Sequence, residues 1–109
     1  MKIVINNCYG GFCLSEKAIK RYLKLKGIKL TEEKETLSKA FIYNFSDKVK
    51  RNDPFLIQVI EELGAEANGD NAELILFDIE SGRWYKIKEY DGLESVIFLD
   101  MDEGWELAK

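Results

Sequence analysis

A dipeptide near the C-terminus, Asp91–Gly92, constrains the fold more than any other short segment of the sequence. It separates two strand-like runs, RWYKIKEY at 83–90 and LESVIFLD at 93–100. Two-residue hairpin turns need a positive φ at their central positions, and Asp-Gly supplies residues that tolerate it. The two runs are therefore predicted to pair as antiparallel strands. A third run at 72–79 precedes them and extends the prediction to a three-stranded meander.

Two segments carry helix-start signals followed by apolar residues at helical spacing. Ser15 is predicted to cap a helix over 15–27, because its hydroxyl can accept from a free N–H group of the first turn. Asp53 and Pro54 are predicted to begin a second helix that ends near residue 69. Both helices carry an apolar stripe, so both are expected to pack on a sheet.

Strands are predicted on either side of the first helix. The run KIVIN at 2–6 is apolar on both faces, which is typical of a central strand. The run LSKAFIYNF at 37–45 is rich in aromatic residues and is predicted to be a second strand, followed by a basic loop at 46–52. The remaining segments are a charged connection at about 28–36 and an acidic tail at about 101–109.

The predicted architecture is a single α+β domain over residues 1–109 with the element order β-α-β-α-β-β-β. Two helices are expected to pack on one face of a mainly antiparallel sheet, which ends in the three-stranded meander. A chain of this length is an ordinary size for one domain with one core.

Histidine is absent from the sequence, and this narrows the available chemistry. No imidazole can activate a serine or cysteine nucleophile, and two cysteines cannot complete a four-ligand zinc site. An enzyme is therefore disfavoured, and neither a cofactor nor a metal site is predicted. Cys8 and Cys13 are expected to be small buried apolar residues, with a disulfide, metal binding or thiol chemistry as the alternatives.

Charge is divided unevenly between the two halves of the sequence. Residues 1–52 hold 12 Lys/Arg and 5 Asp/Glu, whereas residues 53–109 hold 4 and 15, which gives the net charge of −4. This asymmetry suggests two faces of opposite potential. The basic half can contact phosphates. The carboxylates of the second helix and of the hairpin are numerous enough to bind Mg²⁺, and the helix carboxylates can instead form ordinary salt bridges with the first helix. These carboxylates are Glu61, Glu62 and Glu66 on the helix and Glu89, Asp91 and Glu94 around the hairpin.

No apolar run approaches the about 18 residues that a membrane span needs, and the N-terminus lacks the apolar region of a signal peptide. The sequence therefore predicts a cytoplasmic protein without a membrane partner.

The segment INNCYGGF at residues 5–12 is the richest in candidate binding residues. Its Gly10–Gly11 pair precedes the first helix, and backbone N–H groups in such a loop can hold an anion. The segment lacks the lysine and hydroxyl residue of a phosphate-binding loop. Tyr9 and Phe12 beside the glycines suit contact with a nucleic-acid base or a protein. The simpler alternative is a tight corner in which the glycines adopt positive φ and Phe12 fills the core.

Three motifs together resemble a family of small phage and prophage proteins with no assigned activity. The motifs are MKIVINNCYGGF at the start, a DP.LI.V.EELG pattern within 51–69 and EYDGLE at 89–94. The resemblance covers most of the chain and implies an intracellular accessory protein of a mobile element. The matched positions are Asn6, Cys8, Tyr9, Gly10, Gly11, Phe12, Arg51, Asp53, Pro54, Glu61, Glu62, Gly64, Tyr90, Asp91, Gly92 and Glu94.

These observations predict a non-enzymatic binding module that engages a host or phage macromolecule, a protein before a nucleic acid or nucleotide. A homodimer is a further arrangement that the sequence leaves open. The alternative is a nucleotide or small-anion binder, extended to Mg²⁺-dependent hydrolysis, that uses the glycine pair at the start of the first helix. The predicted binding residues are Asn6, Tyr9, Gly10, Gly11, Phe12, Arg51, Tyr90, Asp91 and Glu94.

Overall fold

The computed structural model describes residues 1–28, 36–98 and 106–107 of the chain. The domain is α+β, as predicted. Its elements in chain order are β1 (Lys2–Asn6), α1 (Glu16–Leu25), α2 (Lys39–Lys48), α3 (Pro54–Leu63), a 3₁₀ turn (Gly64–Ala67), β2 (Leu74–Asp78), β3 (Trp84–Tyr90), β4 (Leu93–Phe98) and β5 (Glu106–Leu107). Most of the predicted charged connection and acidic tail lies outside the described residues.

Strands β1 and β2 form the middle of three layers. One face of this pair packs on the helices through Val4, Leu74 and Leu76. The other face packs on β3 and β4 through Ile3 and Ile5. Both faces of β1 are therefore buried, which explains why the strand is apolar at successive positions.

The predicted single sheet with a three-stranded meander is wrong, because β2 pairs with β1 and not with β3. Strand β3 instead pairs with β4 and with the two-residue β5. The reason lies in β2 itself, which carries apolar side chains on both faces and is therefore needed in the middle layer.

The hairpin between β3 and β4 forms as predicted. Tyr90 lies opposite Leu93, and the two turn residues Asp91 and Gly92 have φ of 51° and 91°. These values are those of a two-residue turn whose twist matches that of its strands.

The predicted strand at 37–45 is also wrong, because most of these residues belong to α2. Ser38 caps this helix, and its Oγ accepts from the N–H of Phe41 at 3.1 Å. Ile42 and Phe45 follow at helical spacing and pack against the main core. The aromatic content favoured a strand, but the cap and the spacing favour a helix. The first residues of the predicted basic loop also belong to α2.

Helices α1 and α3 have the predicted caps. The Oγ of Ser15 accepts from the N–H of Ala18 at 3.1 Å, and Oδ1 of Asp53 accepts from the N–H of Phe55 at 2.8 Å. Helix α3 ends before residue 69, because Gly64 has φ of 56° and a 3₁₀ turn follows. The buried residues of the two helices are Ala18, Ile19, Tyr22 and Leu23 in α1 and Leu56, Val59 and Ile60 in α3.

Each of the α-helices in the described residues is ten residues long. None of them has the length and hydropathy needed to cross a membrane.

Ion pairs join the basic first half of the chain to its acidic second half. Lys17 Nζ lies 3.1 Å from Glu66 Oε2, and Arg21 Nε lies 2.9 Å from Glu62 Oε2. The hydrogen bond from Arg21 lowers the pKa of Glu62. The expected salt-bridged surface is confirmed for these two carboxylates, and the pairing reduces the separation into oppositely charged faces.

Replacement of Ser46 tests how α2 is attached to the domain. Ser46 is the buried residue of α2, and its Oγ accepts from the buried N–H of Leu14 at 3.0 Å. Ser46→Ala leaves that N–H without a partner, so the free energy of unfolding should fall by about 1–3 kcal/mol. Ser95→Ala, at an exposed position, is the control and should change it by less than about 0.5 kcal/mol in urea denaturation. Equal effects would contradict the attachment.

Candidate functional site

In the part of the chain that the structure describes, strand β1 pairs with another strand, β2, along one edge, and two residues close its other edge. The N–H of Val4 donates to the backbone carbonyl of Arg51 at 2.9 Å, and the carbonyl of Val4 accepts from Arg51 Nη1 at 3.2 Å. The N–H of Asn6 donates to Glu94 Oε1 at 2.8 Å. Because this edge is buried, each of these backbone groups requires a partner. Arg51 and Glu94 thus replace a neighbouring strand.

Arg51 and Glu94 also form a two-point ion pair with each other. Nη1 lies 2.5 Å from Oε1 and Nη2 lies 2.7 Å from Oε2. The Glu94 side chain is only 7% exposed, and the Arg51 side chain is 24% exposed. The guanidinium carbon lies 3.5 Å from the centroid of the Phe12 ring. This stacking and the paired hydrogen bonds fix the plane of the guanidinium group.

The side chain of Asn6 joins the end of β1 to the surrounding loops. Its Nδ2 donates to the carbonyls of Cys8 and Gly92, each at 2.8 Å. Its Oδ1 accepts from the N–H of Glu73 at 2.8 Å and from Cys8 Sγ at 3.4 Å. Asn6 is fully buried, and both its amide nitrogen and its oxygen have partners.

The glycines allow two loops to approach more closely than other residues permit. A Cβ on Gly92 would lie 2.5 Å from both the amide nitrogen of Gly11 and the carbonyl oxygen of Tyr9. A Cβ on Gly10 would lie 1.6 Å from the carbonyl oxygen of Asn71. The loop after β1 is therefore held between residue 71 and the β3–β4 turn by direct backbone contact.

Above this packed backbone lies an exposed surface, which we name the aromatic corner and define as Tyr9, Gly10, Tyr90 and Asp91. The side chains of Tyr9 and Tyr90 are 64% and 72% exposed, the two largest values among the large apolar residues described. Gly10 and Asp91 are also exposed. Aromatic rings at such exposure on a fixed backbone are suited to contact another molecule.

All nine predicted binding residues lie in this region, but in two groups with different environments. Asn6, Gly11, Phe12, Arg51 and Glu94 belong to the supporting structure beneath the surface. The other four form the aromatic corner. Phe12 packs against the core, as the simpler sequence interpretation held, which leaves Tyr9 as the exposed aromatic residue of the glycine segment.

Two residues of the site were missed from the sequence. Asn71 and Glu73 hold the loop and the Asn6 side chain from the other side. Asn71 has φ of 59°, a conformation that asparagine tolerates, and the run NGDNA before β2 carries that turn signal.

The glycine pair does not lie at the N-terminus of α1. Residues 12–15 intervene, and Leu14 forms an isolated bridge with Asn68. Ser15 already caps the helix, and Glu16 places a carboxylate in its first turn. An anion bound to the glycines would therefore not benefit from the helix dipole.

The two cysteines are both free thiols. Cys8 is half-buried, and its Sγ lies 3.0 Å from the carbonyl oxygen of Asn71. Cys13 is buried, and this burial raises the pKa of its thiol. Within the described ranges no group of three or more Cys, Asp or Glu residues could hold a metal ion. Glu61 Oε2 lies 3.9 Å from Lys2 Nζ, which is an ordinary surface ion pair.

Two cavities of about 440 and 450 Å³ flank α2. The charged residues that line the first are Lys26, which follows α1 directly, and Lys48, the last residue of α2. No predicted binding residue lines either cavity.

Comparison with known proteins gives no relative: no protein-family model, no curated protein and no solved structure matches the chain.

Replacement of Arg51 tests the buried ion pair. Arg51→Ala leaves the Glu94 carboxylate buried and unpaired, so the free energy of unfolding should fall by about 3–5 kcal/mol. Arg21→Ala is a matched control, because Arg21 also binds a carboxylate through two nitrogens but both side chains are more than a third exposed. Arg21→Ala should lower the free energy of unfolding by at most about 1 kcal/mol. Equal losses in urea denaturation would show that the buried pair has no special role.

Replacement of Gly92 tests the close approach of the loops. Gly92 and Gly82 have nearly the same φ, 91° and 88°, but a Cβ on Gly82 would meet no atom within 4 Å. In both alanine variants the free energy of unfolding should fall by about 1–2 kcal/mol because of the positive φ alone. Gly92→Ala should lose a further 1–3 kcal/mol, roughly, from overpacking against Tyr9 and Gly11. Equal thermal midpoints for the two variants would contradict this packing.

Proposed function

We propose that this protein is a non-enzymatic binding module that engages a macromolecule through the aromatic corner. The observation that carries the proposal is the exposure of Tyr9 and Tyr90 on a backbone that the buried Arg51–Glu94 pair supports. Interfaces draw most of their binding energy from a few residues, among which Tyr is enriched.

The supporting structure reduces the cost of binding. Loops that become ordered on binding lose conformational entropy, and this loss weakens affinity. Here the loop after β1 is held by the Asn6 side chain and by contact with the β3–β4 turn. A tyrosine side chain also has few rotatable bonds, so it loses little conformational entropy when it contacts a partner.

The family resemblance supports a cellular setting for this proposal. The motifs that resemble phage and prophage proteins include Asn6, Arg51, Gly92 and Glu94, which form the support of the corner. We therefore place the partner among host or phage macromolecules in the bacterial cytoplasm.

The alternative function, a nucleotide or small-anion binder at the glycine pair, draws no support from the geometry. The glycines pack against other backbone, and α1 begins beyond them with its own cap. No specific observation therefore favours it over the aromatic corner.

Site-specific photocrosslinking tests the proposed surface. A benzophenone amino acid replaces Tyr9 or Tyr90 in cells, and the same replacement at Tyr43 is the control, because Tyr43 is 51% exposed on α2. Positions 9 and 90 should give the same discrete adduct, and position 43 should not. The adducts are separated by mass and treated with nuclease or protease to identify the class of partner.

A second variant connects the adduct to the corner. Tyr9→Ala should weaken the affinity for the partner about thirtyfold or more, since a central interface tyrosine contributes about 2 kcal/mol. The yield of the adduct formed at position 90 should fall accordingly. The same variant should unfold at nearly the wild-type midpoint, because Tyr9 is exposed. Absence of an adduct common to positions 9 and 90, or the same adduct at position 43, would overturn the proposed function.

A further inference from the structure

Strand β2 pairs with β1 along one edge, and its outer edge has no strand partner in the part of the chain that the structure describes. The N–H of Ile79 donates to the carbonyl of Met1 at 2.7 Å, so residue 79 turns its backbone groups toward β1. Backbone groups point alternately to the two edges of an antiparallel strand. Those of Leu76 and Asp78 therefore point to the outer edge.

The outer edge of β2 carries unused donors and acceptors. At its first residue, the N–H of Leu74 already donates to Oδ1 of Asn68 at 2.8 Å. Among the described residues, the N–H and carbonyl groups of Leu76 and Asp78 have no such partner. The strand sequence LILFD also contains neither lysine nor proline, which commonly protect a free edge. The edge is therefore open to a further strand.

The side chains of β2 are less buried than those beside them in β1. Residues 3–5 of β1 are at most 3% exposed. The residues opposite them are half-buried, although all are apolar: Ile75, Leu76 and Phe77. Leu76 packs on the helical side, and the other two pack on the hairpin side. A strand that extends this middle layer meets both sides in the same way, so it has to be apolar on both faces.

We infer that the outer edge of β2 pairs with the β2 of a second copy of this chain. Strand β2 is itself apolar on both faces, so it meets the requirement that its own edge sets. A two-fold axis pairs a strand with itself in the antiparallel direction, and the middle layers then join in the order β1-β2-β2-β1. The inference is independent of the proposed function, because no residue of the aromatic corner belongs to β2.

The unused backbone groups select the register of this pairing. With the two-fold axis at Phe77, Leu76 lies opposite the partner's Asp78, and each N–H donates to the carbonyl of the other. The symmetric pair does the same, so all the unused groups of Leu76 and Asp78 become paired. Phe77 faces the partner's Phe77 in a non-hydrogen-bonded pair, where opposite side chains lie closest.

The neighbouring registers are less favourable. An axis at Asp78 would place two carboxylates directly opposite each other, and like charges at such positions are destabilising. An axis at Leu76 would need the N–H of Leu74, which Asn68 already occupies. The contact involves one short strand from each copy, so we expect a dimer that dissociates on dilution.

Sedimentation velocity on the full chain tests the pairing. The average mass should rise from that of one chain toward that of two between low micromolar and submillimolar concentration. Asp78→Pro removes an outer-edge N–H, and proline is tolerated on an open strand edge, so circular dichroism should show the fold retained. The dimer dissociation constant should rise at least about tenfold, because two hydrogen bonds per dimer are lost.

Asp78→Ala is the matched control. It removes the same side chain, which is 76% exposed, and the same ion pair with the N-terminus, but it keeps the N–H group. Asp78→Ala should therefore dimerise like the wild type. Tyr90→Ala, in the aromatic corner, should also leave dimerisation unchanged.

Amide hydrogen exchange of the wild-type chain tests the same edge without a substitution. The amide of Leu76 should be protected at high concentration and exchange much faster after dilution. The amide of Phe77 faces β1, so it should stay protected at both concentrations and serves as the internal control.

Three results would overturn the inference. A monomeric mass at every concentration excludes the second copy and leaves the edge to an extended peptide. A dimer that Asp78→Pro and Asp78→Ala affect equally uses another surface. Protection of the Leu76 amide that does not depend on concentration means that the edge is covered within one chain. None of these results alters the photocrosslinking expected from positions 9 and 90, so the two proposals fail separately.

Discussion

The closure of the free edge of β1 by Arg51 and Glu94 is the interaction on which the rest of the structure depends. Strand β1 is buried on both faces, but among the described strands only β2 pairs with it. A buried edge with unpaired N–H and carbonyl groups is costly, and a strand is the usual solution. Here the guanidinium group and backbone carbonyl of Arg51 and the carboxylate of Glu94 supply those hydrogen bonds, and the two charged groups neutralise each other.

This arrangement connects the stability of the domain to the shape of its surface. Glu94 belongs to β4 and Arg51 precedes α3, so their pairing ties the outer hairpin and the helical layer to the same strand. The β3–β4 turn is thereby held against the loop after β1, where only glycine fits. Tyr9 belongs to this contact, and Tyr90 lies two residues before Gly92 in the same turn region. The aromatic corner is therefore supported by buried polar groups that are paired with one another.

Local signals in the sequence predicted the elements that local interactions determine. The caps at Ser15 and Asp53 and the hairpin at Asp91–Gly92 depend on neighbouring residues alone, and each appears in the structure. The helix α2 was missed because its aromatic residues suit a strand equally well, although Ser38 and the spacing after it indicated a helix. The partner of β2 could not be predicted, since pairing over such sequence distances depends on how the layers stack.

The candidate site shows the same division. Most of its residues were found from the glycine and turn motifs and Arg51 from the family resemblance, whereas Asn71 and Glu73 were missed. The roles of these residues depend on contacts between positions far apart in sequence, such as Arg51 with Glu94 and Gly92 with Tyr9. Neither burial nor exposure of these side chains follows from a local pattern.

Amide hydrogen exchange tests the central claim most directly. Arg51→Lys keeps the charge but loses the two-point geometry of the guanidinium group. We predict that the amides of Asn6 and Glu73 then exchange much faster, while the amides of α1 retain most of their protection, because only the edge of β1 opens. Unchanged exchange at Asn6, or an equal loss of protection throughout the domain, would contradict the account.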